Sequence, residues 1–301
     1  MHRRSDDILN DKCLCGSSKL TKDCCARPEG VVFKEPIKLK EKSDIAPHAN
    51  RKCIFGYRET CSHKISREHF ISQSVLRLLN NPRLTNLKLK GFLGQDDFKS
   101  YGIKSLTTKI LCKKHNEMFS TIDKEAARFV RAIQSHLEHG PDKEHLFSGY
   151  DIERWLFKVS IGLLGAKVFP GNFSQRVMAS QALLDCVINP VVNNATGGLY
   201  ILDLEEELMY DYVEFRVRPL KFAYNSEFCG ITFYFFGVPL TFIFYGDMWL
   251  QQATREGRYI FRPHMLKFTG QHKTTHIRLS WYGNSGSKAI QIGRKIAREQ
   301  E

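Results

Sequence analysis

The amino-acid sequence predicts an α+β protein: a small cysteine-rich module, a second metal-pinned unit after it, and a C-terminal α+β domain with antiparallel strands. Three observations carry that expectation. Seven of the nine cysteines lie in the first 112 residues, in a group of four (Cys13, Cys15, Cys24, Cys25) and a group of three (Cys53, Cys61, Cys112) beside His115. From Ile152 to Leu164 apolar residues recur at three-to-four spacing, as in a buried helix. Beyond Leu199, β-branched and aromatic runs dominate, and Gly237-Val238-Pro239 between two of them marks a hairpin.

Taken in order, the elements support boundaries at 1–27 for the first module, 28–50 for a linker, 51–138 for the second unit and 150–301 for the C-terminal domain. Pro28, Pro36 and Pro47 and a mixed-charge tract around Lys38 give the linker little periodicity. In the second unit, short β-like pieces are expected near Cys53 and Lys64-Ile65, then a helix from Glu68 or Ser72 through Leu79, stopped by Asn80-Asn81-Pro82. Residues 83–104, with Gly91, Gly94 and Gly102, read as a loop or hairpin insertion. Leu106 to Leu111 is strand-like, and Glu117 to Gln134 is helical. In the last domain Ser174 to Val187 is a second helix. Strands are expected over Leu199–Leu204, Val213–Tyr224, Ile231–Phe236, Leu240–Tyr245, Tyr259–Phe268 and Thr275–Trp281, with a basic helix over Ser287–Gln300.

Bulk properties bound the function. At 301 residues with 42% hydrophobic composition the chain is long enough for one large or two modest domains with proper cores. No run approaches the roughly 18 to 20 apolar residues of a membrane span, and no apolar segment follows the charged start as in a secretion signal, so a cytoplasmic location without membrane contact is expected. The net charge of +13 is uneven: residues 1–150 hold 28 Lys and Arg against 18 Asp and Glu, leaving only +3 for the remainder. Basic character in the cysteine-bearing half favours a polyanionic partner, because Lys and Arg that neutralise phosphates release condensed counterions.

Four plus four ligands is the arithmetic of two tetrahedral zinc ions. Cys13-x-Cys15 is followed after eight residues by Cys24-Cys25, and Gly16 lets the chain turn so that four sulfurs converge. So short a unit buries too little apolar surface to fold alone, whereas structural zinc contributes about 10–16 kcal/mol of apparent binding energy in finger peptides. The run Cys13-Leu14-Cys15-Gly16-Ser17-Ser18-Lys19 closed by Cys24-Cys25 resembles the SEC-C zinc-binding motif. For the second ion, Cys112-x2-His115 has ordinary knuckle spacing and Cys53 and Cys61 stand further apart, with His63 as the alternative to Cys61. Cys186 and Cys229 sit among apolar neighbours and read as core residues.

Glu68-His69 follows Cys61, and Asn116 follows His115 directly. Phosphodiester hydrolysis needs an attacking water, a group to take its proton, and a cation to neutralise the phosphorane and leaving oxygen. Free histidine titrates at about 6.5, so His69 is the candidate base, and Glu68 and Asn116 offer hard oxygens for Mg²⁺ or Mn²⁺. Asn116, Ser120 and Asp123 would share a helical face, making Asp123 either an assistant to the cation or a cap on a following helical segment. Arg67 and Lys113-Lys114 are either phosphate clamps or solvated surface.

The ordered set Cys…Cys…Glu-His…Cys-x2-His-Asn resembles the HNH (His-Me finger) endonucleases, built on a ββα-metal unit pinned by zinc. The resemblance covers about residues 51–130, with Ser66-Arg67-Glu68-His69-Phe70-Ile71-Ser72 and the run from Leu111 to Asp123 as its local phrases. It implies Glu68 and Asn116 as ligands of the catalytic cation, His69 as general base, and Cys53, Cys61, Cys112 and His115 as structural zinc ligands. The insertion between His69 and Cys112 is longer than the family's, and Thr107-Thr108-Lys109 stand where a bracing asparagine is expected, with Asn86 as the substitute. The expectation is a metal-dependent nuclease acting on DNA, suited to defence against mobile elements. A non-catalytic zinc-stabilised adaptor or nucleic-acid binder, and a ribonuclease using the same centre, are the alternatives. The C-terminal domain is expected to serve substrate choice, a protein partner or a homodimer.

Overall fold

The computed structural model describes residues 9–28, 31–39, 48–79, 86–90, 99–169, 181–189, 197–202, 215–221, 228–244, 259–269, 273–283 and 289–293. The elements run β1 (Glu68–His69), α1 (Gln73–Leu79), β2 (Asn86–Lys90), β3 (Lys99–Gly102), β4 (Thr107–Thr108), α2 (Lys113–Gln134), β5 (Lys143–Ser148), α3 (Gly149–Gly165) and α4 (Gln181–Ile188). The strands β6 (Gly198–Leu202), β7 (Phe215–Lys221), β8 (Phe228–Phe235), β9 (Val238–Ile243), β10 (Tyr259–Phe261), β11 (Met265–Thr269), β12 (Thr274–Ser280) and β13 (Ala289–Gly293) complete the described chain. The architecture is mixed α+β with predominantly antiparallel sheets: seven strands in the order β10-β6-β9-β8-β7-β2-β3, four in the order β13-β11-β12-β5, and the pair β1-β4.

α3 is the hub. All its residues from Gly149 to Leu164 are buried, and it packs on α2, α4 and strands of both larger sheets. A helix apolar on every side belongs inside a molecule. Burying side chains such as Trp155, Leu156 and Leu163 fully contributes about 1.5–3 kcal/mol each. The polar residues of α3 are all engaged. Glu153 accepts from Arg262 at 2.9 and 3.0 Å and from the Leu199 amide at 2.8 Å. Asp151 pairs with Arg154 and accepts from the Ile37 amide at 3.1 Å, while Arg154 donates to the Ile37 carbonyl at 2.7 Å. Lys158 is the third, described below. A single apolar cluster runs from Cys53 to Ile290 across both halves of the sequence.

Glycine matters where α3 crosses the segment after β1. A Cβ on Gly162 would stand 2.3 Å from Phe70 Cβ, so only glycine lets the helix lie against Phe70. Lys158 is one turn earlier on that same face, which is why it reaches Glu68.

The strands expected after Leu199 are present, and the insertion contains a hairpin, β2 with β3, that adds to the seven-stranded sheet through β7. Other expectations need correction. Glu68-His69 is a strand, so the helix begins at Gln73. The chain near Cys53 forms tight turns and a 3-10 turn at Gly56–Arg58 rather than a β piece. Residues 289–293 form β13 parallel to β11, not a helix, since Ala289, Ile290 and Ile292 meet Met265, Leu266 and Phe268 in register. The expected strand Tyr259–Phe268 is two, split at Arg262, whose φ of 47° turns the chain from one sheet into the other. β5 was not expected. The stop at Asn80-Asn81-Pro82, residues 174–180 and 294–300, and the centre of the linker lie outside the described residues, as does the side chain of Asn86.

Candidate functional site

Two clusters bring four ligand atoms each within 4.8 Å of one another: Cys13, Cys15, Cys24 and Cys25, and Cys53, Cys61, Cys112 and His115. Both are the sets expected from spacing. All these cysteines are free thiols. In the second cluster His115 Nδ1 lies 3.2, 3.4 and 3.7 Å from the sulfurs of Cys112, Cys53 and Cys61. With metal–sulfur and metal–nitrogen bonds near 2.3 and 2.0 Å, a tetrahedral zinc site has S···N edges of about 3.5 Å, so the residues fit the ion. His63 is not a ligand: it is exposed and stacks on His48 at 3.9 Å.

The local sequence explains the convergence. Backbone bonds Ile54 N–H to Ile110, Ser66 N–H to Leu111 and Lys113 N–H to Lys64 stitch three segments together, with Cys112 at the N-cap of α2. Burial pushes the Cys112 thiol up, but amides of His115 and Ser62 directed at its sulfur outweigh it, so the net direction is down, toward thiolate. A Cβ on Gly56 would meet the Asn50 carbonyl at 2.6 Å, so the turn carrying Cys53 requires glycine. Asn50 braces the other knuckle, its Nδ2 donating to the carbonyls of Ser62 and His63 at 3.1 and 3.0 Å. Thr60 Oγ1 lies 3.2 Å from His115 Nε2, orienting the ring so that Nδ1 faces the sulfurs.

The first cluster folds around Gly16 (φ 80°), with the amides of Cys24, Cys25 and Ala26 converging on the Thr21 carbonyl. Burial raises the Cys15 thiol, but hydrogen bonds from Ser17 and the neighbouring thiols prevail and hold it at about 6. The module docks on β5: the Leu146 amide donates to the Leu14 carbonyl at 3.0 Å, and Cys13 and Cys25 pack on the Leu146 side chain.

Beside the second cluster, Glu68 on β1 and Asn116 and Asp123 on α2 come together. Asn116 Nδ2 donates to Ser66 Oγ at 2.8 Å, and burial pushes the Glu68 carboxyl above the usual carboxylate range against the opposing pull of Lys158 and the smaller one of Asn116. Lys158, unforeseen from sequence, donates to Glu68 Oε1 at 2.9 Å and to Asp123 Oδ2 at 2.6 Å. Burial lowers the tendency of Lys158 to stay charged, but the two carboxylates prevail and hold it above the usual lysine range. Asp123 Oδ1 is buried without a hydrogen bond. Asp123 sits in mid-helix, since α2 runs unbroken from Lys113 to Gln134, so it does not cap a following segment. Two carboxylates and a carboxamide are hard oxygen donors of the kind divalent cations take, and here the Lys158 ammonium lies against both carboxylates.

His69 is half-buried and pairs in register with Thr107; strand alternation directs it to the face opposite Glu68. Ser120, on the shared helical face, is exposed. Arg67 ties β1 to β4 through Thr107 Oγ1 at 2.9 Å, Lys113 pairs with Glu117 at 3.7 Å, and Lys114 is buried. The signal that could have found Lys158 was its charge inside the apolar run from Trp155 to Leu164.

No helix among the described residues is long and apolar enough to cross a membrane. No protein-family model matches the chain, and no curated protein or solved structure matches it significantly.

Proposed function

We propose that this chain is a metal-dependent endonuclease of the HNH type that hydrolyses phosphodiester bonds in nucleic acid, DNA first among them, on a zinc-pinned ββα unit formed by β1, β4 and α2. The observation that carries the reading is the meeting of Glu68, Asn116 and Asp123 beside a Cys₃His cluster, with His69 next in the strand. Glu68, Asn116 and Asp123 are the residues that would hold Mg²⁺ or Mn²⁺. When bound, that ion neutralises charge gathering on the phosphorane and the leaving oxygen.

In this reading His69, next along β1, is the residue assigned to take the proton of the attacking water. Ser66 fixes the Asn116 amide, and the zinc cluster fixes the start of α2, so the oxygens are aimed before substrate arrives. Lys64, Arg67 and Lys109 lie in the segments flanking the cluster and suit a polyanionic strand.

A second reading has one observation in its favour. Lys158 pairs with Glu68 and Asp123 where a divalent ion would stand, as a zinc-stabilised nucleic-acid-binding protein without catalysis would allow. The deciding experiment incubates purified protein and its His69→Ala form with plasmid, single-stranded DNA and RNA, with Mg²⁺, Mn²⁺ or EDTA. Expected are divalent-dependent cleavage by the parent and a loss of about 10²-fold or more in His69→Ala, with two zinc ions retained per chain. Undiminished cleavage by His69→Ala would remove the base, and cleavage of RNA alone would move the substrate class.

A further inference from the structure

A buried ammonium between two carboxylates is a cation already in place. Lys158 Nζ touches Glu68 Oε1 at 2.9 Å and Asp123 Oδ2 at 2.6 Å, and its side chain is only 6% exposed. These carboxylates are the ones the proposed function gives to the divalent ion, and the inference rests on that reading. An ammonium and a divalent ion cannot share the same two oxygens at bonding distance, because their like charges would repel across a single contact. The oxygen set is also not saturated: Asp123 Oδ1 is buried without a hydrogen bond. Two carboxylates against one ammonium leave one negative charge uncompensated, which favours a cation of higher charge. Lysine is suited to withdraw, being a point charge on a flexible four-carbon stem.

We propose that Lys158 is a tethered cation that competes with the divalent ion for Glu68 and Asp123, and that a nucleic-acid phosphate releases it. As the ion enters, the displaced ammonium pairs with a phosphate oxygen, so the site loads ion and phosphodiester jointly. Without nucleic acid, Lys158 holds β1, α2 and α3 together and keeps the two carboxylates from repelling one another.

The test measures Mn²⁺ binding by electron paramagnetic resonance on full-length, zinc-loaded protein. It is done in the His69→Ala background, so that DNA is not consumed, with and without a short duplex. In that background Mn²⁺ binds weakly alone and about tenfold or more tightly with DNA, a coupling within the range of linked sites. Adding Lys158→Met gives the tight value without DNA, and DNA then brings no further gain. Lys158→Gln follows Lys158→Met. Mn²⁺ binding in both variants no tighter than in the parent overturns the proposal.

Removing the ammonium leaves Glu68 and Asp123 facing each other, so thermal melting accompanies the binding measurement. If Lys158→Met melts non-cooperatively alone, recovery of a cooperative melt with Mn²⁺ supports competition, and a chain left unfolded at saturating Mn²⁺ overturns it. The two readings fail separately. Cleavage that depends on His69, together with unchanged Mn²⁺ binding in the Lys158 variants, sinks this inference alone. Tightened Mn²⁺ binding with no nucleic-acid cleavage by the parent supports it and sinks the nuclease.

Discussion

At the scale of single residues, the second zinc cluster depends on a group that is not a ligand. Thr60 Oγ1 faces His115 Nε2 at 3.2 Å, and an imidazole that binds zinc through Nδ1 carries its proton on Nε2 and donates it to the Thr60 oxygen. Thr60→Val keeps the shape and removes the acceptor. Such partners of a ligating histidine typically contribute about 10-fold to 100-fold in metal affinity. Competition with a chromophoric chelator should therefore strip one zinc about tenfold more readily from Thr60→Val, while the Cys13 cluster keeps its ion. Equal resistance of both ions in parent and variant would show the threonine contact to be idle. The first cluster and the pair Cys112 and His115 were legible from their spacing, whereas Cys53 and Cys61 stand further apart than an ordinary knuckle and left His63 as the alternative to Cys61. Thr60, Asn50 and Lys158 were not legible, since a hydroxyl, an amide and an ammonium acquire their roles only from neighbours distant in sequence.

At the scale of elements, periodicity located α2 and α3 and most strands after Leu199, because each buries a regular face. It failed where pairing decides. β1 is two residues long and exists through Glu68 opposite Thr108 and His69 opposite Thr107. β5 reads as Lys-Glu-His-Leu-Phe-Ser, too polar to announce a strand, and is made one by parallel pairing with β12. That strand carries a testable pH dependence. Burial lowers His145, and the charges of Arg128, Lys143 and Lys273 add to this against the weaker pull of Glu144, so it titrates at about 4 instead of 6.5. The unfolded chain then binds a proton at a pH where the folded one refuses it. The contribution to stability is complete above the ordinary histidine pKa and is lost as pH falls through the folded value. His145 stands opposite Ile277, so His145→Leu fits the pair. Melting temperatures should decline less in His145→Leu than in the parent between neutral pH and pH 4, and parallel declines would show that the histidine is not responsible.

At the scale of the whole molecule, the proposed site cannot be separated from the C-terminal half. α3 supplies Lys158 to the site, Glu153 to Arg262 ahead of β11, and Asp151 and Arg154 to Ile37 in the segment after the first cluster. The ties of Lys158 to Glu68 and of Glu153 to Arg262 are buried ion pairs, and removing one partner of such a pair costs about 3–5 kcal/mol, because the charge left behind is unsolvated. The hairpin of β2 and β3, which interrupts the chain between His69 and Cys112, completes its hydrogen bonding on β7. A fragment of residues 48–138 would hold the second zinc cluster but expose Phe70, Phe119, Ile122 and Phe129, which lie with α3 in one apolar cluster. We expect it to bind one zinc and to lack a cooperative thermal transition by circular dichroism, whereas the full chain melts in a single step. Adding back α3, in a fragment ending after β12, should restore cooperativity, because the ties from Glu153 to Arg262 and from Lys158 to Glu68 and Asp123 are then intact. A sharp melt from the 48–138 fragment would show that the metal and its own core suffice, and that α3 supports the site without being required to form it.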